Sequence, residues 1–117
     1  MTRIYKLLGK GEWEKALADG VFHGSERDRA DGYIHFSSAQ QLQETARRHF
    51  AGRDDLVVLE VEDHTLGSAL KWEISRDNQP FPHLFAPLRL DAVLSARSFA
   101  LEPDPGPTPA KGPGDFA

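Results

Sequence analysis

Proline is distributed so unevenly along this chain that it sets the size of the fold. Of the eight prolines, five fall in the last sixteen residues, Glu102 to Ala117, together with three of the ten glycines. Proline has no backbone donor and a fixed φ, so this segment can supply neither a hydrogen-bond ladder nor a packed face. A disordered or polyproline-II-like tail is expected over 102–117. Folding is left to residues 1–101, the length of one domain and too short to add a separate cofactor domain. With 39% hydrophobic residues, the chain can still fill one core.

Charge and cysteine content remove several functions. Lys and Arg number 14 against 18 Asp and Glu, a formal charge of −4. Such a chain lacks the basic field that non-specific nucleic-acid binding requires. Without cysteine there are no disulfides, thiolate metal sites, iron–sulfur clusters or cysteine nucleophile. No apolar run approaches the roughly 18 residues of a membrane span. Met1 to Lys6 has no apolar signal core. A cytoplasmic protein without membrane contact is therefore expected.

Within 1–101, strands and helices are interleaved. Ile4–Leu8 predicts a strand, and Glu12–Ala18 a helix with Trp13, Ala16 and Leu17 on one face and Gly20 as its stop. The polar, charge-mixed segment Gly24–Asp31 predicts a loop. Tyr33–Phe36 predicts a strand. Ser38 and Gln41 have capping-box spacing for a second helix that carries Leu42, Ala46, His49 and Phe50 on one face and stops at Gly52. Leu56–Glu62 is the clearest buried strand. Leu70–Ile74 and part of Ala92–Leu101 predict further strands. Helices early and strands late point to an α+β domain.

Three segments can carry chemistry. In Asp31–Ser38, strand alternation puts Tyr33 and His35 on one face and Ile34 and Phe36 on the other. A helix N-terminus with Ser37 and Ser38 follows, which suits a phosphate; the plainer alternative is that His35 bonds a loop and the serines only cap. In Leu70–Glu73, Lys71 and Glu73 share a face. That carboxylate suits a ribose hydroxyl or an oxocarbenium-like centre, or else a surface ion pair with Lys71. In Gln79–Leu88, three prolines make a rigid loop that presents His83 with Phe81 and Phe85 for stacking on a flat ring; the alternative is a packed loop in which His83 satisfies a buried carbonyl. His23 and His64 fall in polar loops, and His49 suits a core edge. No His-x-His or His-x-x-x-His spacing occurs, so no metal is expected.

These segments together resemble the family called Domain of Unknown Function 952, over about Arg3 to Phe99. The motifs are Ile4-Tyr5-Lys6, Trp13-Glu14, Asp31-Gly32-Tyr33-Ile34-His35-Phe36-Ser37, Ala46-Arg47-Arg48-His49-Phe50, Asp55-Leu56-Val57-Val58-Leu59, Leu70-Lys71-Trp72-Glu73 and Phe81-Pro82-His83-Leu84-Phe85-Ala86-Pro87-Leu88. The resemblance implies a small α+β domain distantly similar to the ADP-ribosyltransferase superfamily, which includes the RNA 2′-phosphotransferases. Such a domain has a split, mostly antiparallel sheet, two main helices, and a cleft for NAD or ADP-ribose.

The resemblance places the first-strand nucleotide contact at Tyr5 and Lys6, where relatives carry Tyr-His, and the second at His35. It makes Glu73 the later carboxylate. The implied cleft has His35 at ribose or phosphate, Lys6 neutralising a phosphate, and Glu73 stabilising charge at the ribose carbon. His83 and Phe85 shape the base pocket, while Tyr33, Ser37 and Ser38 complete the wall. Where relatives carry Tyr-Gly-Pro-Leu, this chain has Phe85-Ala86-Pro87-Leu88. ADP-ribosyl or phosphoryl transfer would follow. Two other functions stay open: a non-catalytic module for a small anionic metabolite, and an interaction domain using either exposed Trp13 or Phe81 and Phe85 as its patch.

Overall fold

A computed structural model describes residues 2–101; the tail expected over 102–117 lies outside them. Nine strands and three α-helices are described: β1 (Arg3–Gly9), α1 (Lys10–Asp19), β2 (Val21–Phe22), α2 (Glu26–Asp31), β3 (Ile34–His35), β4 (Ser37–Ser38), α3 (Leu42–His49), β5 (Leu56–Glu62), β6 (Leu70–Ile74), β7 (Pro80–Leu84), β8 (Leu88–Arg89) and β9 (Val93–Phe99). They form a four-stranded sheet ordered β4-β1-β5-β9, a three-stranded sheet ordered β3-β7-β6, and the pair β2-β8. All these pairings are antiparallel. The small α+β domain with antiparallel sheets expected from the sequence is thus present. No helix among the described residues is long and apolar enough to cross a membrane.

The two central strands of the four-stranded sheet, β1 and β5, are buried on both faces, which explains the unbroken apolar run of β5. Ile4 and Leu8 of β1 and Val57, Leu59 and Val61 of β5 face the larger core, with Phe22, Ile34, Phe36, Leu84 and Leu88. Leu7, Leu56 and Val58 point the other way, onto Leu42 and Ala46 of α3 and onto Phe99. Lys6 lies between Ile4 and Leu8 and so points into the larger core by strand alternation.

Two segments differ from expectation. Residues 26–31 form α2 instead of a loop. No apolar periodicity marks it; a capping box does, in which the Ser25 backbone N–H donates to Asp28 Oδ2 at 2.9 Å. Gly24 and Gly32 flank it with positive φ, and a Cβ on Gly24 would lie 2.9 Å from that of Asp28. Residues 80–84 form β7, the middle strand of the three-stranded sheet, where a loop was expected. Its prolines recur with period two, opposite Ile74 and Trp72 of β6. The Pro82 carbonyl accepts from Phe36 N–H at 3.0 Å, on the side away from β6. The missing donors therefore fall where β6 needs none.

The helix after Ser38 begins as a 3-10 turn over Ala39–Gln41, and the Ser38 N–H donates to Gln41 Oε1 at 3.0 Å as the spacing predicts. The Phe50 N–H closes α3 on the Ala46 carbonyl at 2.8 Å, before Gly52 is reached.

The predicted strand over Tyr33–Phe36 is two short strands in different sheets. The chain leaves the three-stranded sheet after His35 and joins the four-stranded sheet at Ser37. Phe36 stands between them, 2% exposed and packed in the larger core. Phe36→Ala is expected to destabilise the domain by about 3–5 kcal/mol, read from urea denaturation. A loss below about 1 kcal/mol would mean that Phe36 does not join the two sheets.

Candidate functional site

The three-stranded sheet builds one polar face. Residues directly opposite in an antiparallel pair point the same way. His35 is opposite His83, and His83 is opposite Lys71. Glu73, two residues along from Lys71, joins them. His83 is 4% exposed, and its Nδ1 lies 2.8 Å from Glu73 Oε1. Acting as the donor, Nδ1–H leaves Nε2 as the lone-pair nitrogen. Tyr33 stacks on the His83 ring at 4.1 Å between centroids and 28° between planes. Phe85 lies 5.2 Å from Tyr33, and the Lys71 ammonium sits 5.7 Å above the Phe85 ring. The two imidazole centroids are 5.9 Å apart.

A buried carboxylate ties this face to β1. Asp28 is 2% exposed and Lys6 4%. Lys6 Nζ lies 2.8 Å from Asp28 Oδ2 and 3.0 Å from Oδ1. The His35 backbone N–H donates to Oδ1 at 3.1 Å, and His35 Nδ1 lies 2.6 Å from the same oxygen. On the far edge of that ring, Nε2 lies 2.9 Å from Asp31 Oδ2. Both ring nitrogens thus face carboxylate oxygens. Burial by itself would raise the Asp28 pKa. The hydrogen bond from His35 and the Lys6 ammonium outweigh it and hold the carboxyl well below the usual range. Burial pushes the Lys6 ammonium down, against the attraction of Asp28.

A cavity of about 470 Å³ opens beside these groups. Of the residues expected at a ligand, Tyr5, Lys6, His35, Ser37 and His83 line it together. Glu73, Tyr33, Phe85 and Ser38 do not. Glu73 and Tyr33 contact His83 from behind, Phe85 packs on Tyr33, and the Ser38 N–H is spent on Gln41. The cavity meets the flank of α3, at Thr45 and His49, and not the helix N-terminus the sequence suggested.

Asp28, Arg27, Thr45 and Arg76 were not foreseen. The first two sit on the unpredicted α2. The only signal for Asp28 was its spacing from Ser25. Trp13, Phe81 and Phe85 do not form one patch: Trp13 packs on the core, Phe81 is 7% exposed, and only Phe85 is open at 44%. Among the described residues no group of three or more His, Asp or Glu side chains is placed to hold a metal ion.

Asp28 gives the fold a defined acid limit. In the unfolded chain its carboxyl titrates near an ordinary value of about 3.9; in the folded protein it titrates lower. Its stabilisation is complete above about pH 4 and drains away as pH falls towards the folded value. Asp28→Asn is expected to lower stability at neutral pH by about 3–5 kcal/mol, because Lys6 is left buried and uncompensated. It should also flatten the acid limb in denaturant titrations across pH. An acid limb unchanged in the variant would assign it to other carboxylates.

Comparison with known proteins supports the same outline. No match is found among curated proteins. The crystal structure of protein CC0527 from Caulobacter crescentus, a structural genomics target, is similar with a TM-score of 0.84 and 48% identity, covering 86% of this chain and 89% of that one. Its solution NMR structure is similar with a TM-score of 0.78 and 48% identity, over 87% and 88% of the two chains. A crystal structure of a double mutant of CC0527 gives a TM-score of 0.84 and 46% identity over 86% and 89%. The family model described as "Protein of unknown function (DUF952)" matches residues 7–96, so the chain belongs to that family.

Proposed function

We propose that the cavity binds an NAD-like or ADP-ribose-like nucleotide and serves transfer of its ADP-ribosyl or phosphoryl group. The observation that carries this reading is that His35 and His83, each held by a carboxylate behind it, Asp28 and Glu73, line one cavity of about 470 Å³. That volume lies within the usual range of small-molecule sites, roughly 300–1,000 Å³. Support for the reading also comes from the separate antiparallel sheets, with the cavity beside them.

The chemistry divides between the two pairs. His35, held by Asp28 and Asp31 at its two ring nitrogens, forms a fixed wall of the cavity beside the ribose or phosphate. His83 exchanges a proton at Nε2, with Glu73 fixing its tautomer from Nδ1. In this reading Glu73 acts through His83 rather than at the ribose carbon. Lys6 contributes through Asp28, since its ammonium is already paired.

Isothermal titration with NAD, ADP-ribose and a 2′-phosphorylated nucleotide is expected to give saturable heat with at least one of them. His35→Ala and His83→Ala should each abolish it while circular dichroism shows a folded chain. No heat with any of the three would end the nucleotide reading.

One observation favours a second reading, a non-catalytic module for a small anionic metabolite: the carboxylate expected at the ribose carbon does not line the cavity. Nicotinamide released from NAD by the wild type, and not by His83→Ala, would exclude it.

A further inference from the structure

The hairpin between β6 and β7 turns on Asp77 and Asn78, both with positive φ, at 57° and 58°. The Gln79 N–H closes it on the Arg76 carbonyl at 3.2 Å. Positive φ at both central positions is the turn that matches strand twist, and Asp and Asn tolerate it. Arg76 therefore leaves the sheet at a fixed point, and its side chain lines the cavity.

The Arg76 guanidinium is oriented, and its one ion pair among the described residues is a long contact with exposed Asp77. Nη2 donates to Thr45 Oγ1 at 3.1 Å, and that hydroxyl lies 2.9 Å from Ser37 Oγ. The guanidinium carbon sits 4.8 Å from the centre of the Phe81 ring. Nε is buried without a hydrogen bond, its nearest carboxylate oxygen being Asp77 Oδ2 at 3.9 Å. Nη1 has no hydrogen-bond partner among the described residues.

Glu44, the other acid nearby, is engaged by Arg47 and Arg48 at 3.0 and 2.8 Å. Neither Asp77 nor Glu44 lines the cavity, whereas Arg27, which has no ion-pair partner among the described residues, does. His49 lines it too. Burial first, and then Arg27 and Arg76, hold its pKa below the ordinary value. Three carboxylates, Glu12, Glu26 and Asp55, also line the cavity, and Asp55 is paired with Arg53.

A desolvated guanidinium without a close counter-charge is unfavourable until an anion meets it. Its planar fork matches the oxygens of a phosphoryl group, and the Thr45 and Ser37 hydroxyls add donors or acceptors beside it. We propose that Arg76, with Arg27, forms the phosphate subsite of the cavity, which selects ligands bearing a phosphate ester or pyrophosphate. This rests on the nucleotide reading for the rest of the ligand but not for the anion itself.

Pyrophosphate alone is the probe. Titrated into the uniformly ¹⁵N-labelled wild type, it is expected to shift the Arg76 Nε–Hε resonance and the Thr45 amide. Arg76→Gln should weaken pyrophosphate binding about tenfold or more, and Arg76→Lys should recover only part of it. Absence of shifts at millimolar pyrophosphate, or shifts confined to other parts of the protein, would overturn the proposal. So would equal affinity in a folded Arg76→Gln variant. If that variant does not fold, the wild-type resonances decide alone. Pyrophosphate binding at Arg76 without nucleotide binding would sink the nucleotide reading and keep this one. NAD binding undiminished in Arg76→Gln would do the reverse.

Discussion

The structure depends on one ion pair sunk in its core. Lys6 points from the middle of β1 into an apolar layer, between Ile4 and Leu8, where an unpaired ammonium could not stay charged at tolerable cost. Asp28 meets it from α2 and extends the same carboxylate to the backbone and ring of His35. Three elements that touch the cavity are thereby held to one another by a few short polar contacts. A hydrophobic pair of similar volume would pack as well, but it would not set the rotation of the His35 ring. Directional bonding is what this charge adds.

Much of the scaffold could be read from the residues and part of the site could not. β1, α1, β5, β6 and β9 followed from apolar periodicity, and the Ser38–Gln41 capping box marked the start of the second helix. The alternation of Tyr33 and His35 against Ile34 and Phe36 put the right side chains on the right faces. What failed has local causes. α2 is six residues long and buries a carboxylate rather than an apolar stripe, so periodicity is silent there. β7 carries two prolines, a pattern that argues against a central strand unless the neighbouring strand is known to end.

The site was legible in its histidines and less so in its charges. His35 and His83 are brought opposite each other by register, which no single strand reveals. The roles first given to Lys6 and Glu73 assumed that each met a ligand directly. In the structure Lys6, which lines the cavity, is also paired with Asp28, and Glu73 is paired with His83. Arg76 had no signal beyond its place in a turn-forming run. A guanidinium becomes interesting only once its neighbours are shown to be taken, and that is a property of the assembled molecule.

The two prolines of β7 have an effect beyond tolerating the sheet. They precede His83 and fix φ on both sides of Phe81 and just before the histidine. The unfolded chain is already narrowed there, so less backbone freedom is lost on folding and little remains to be lost when a ligand arrives. The imidazole is carried on a stiff arm rather than a hinge. Its position is set during folding, and a ligand meeting this wall would be selected by a preformed shape, without a disorder-to-order step.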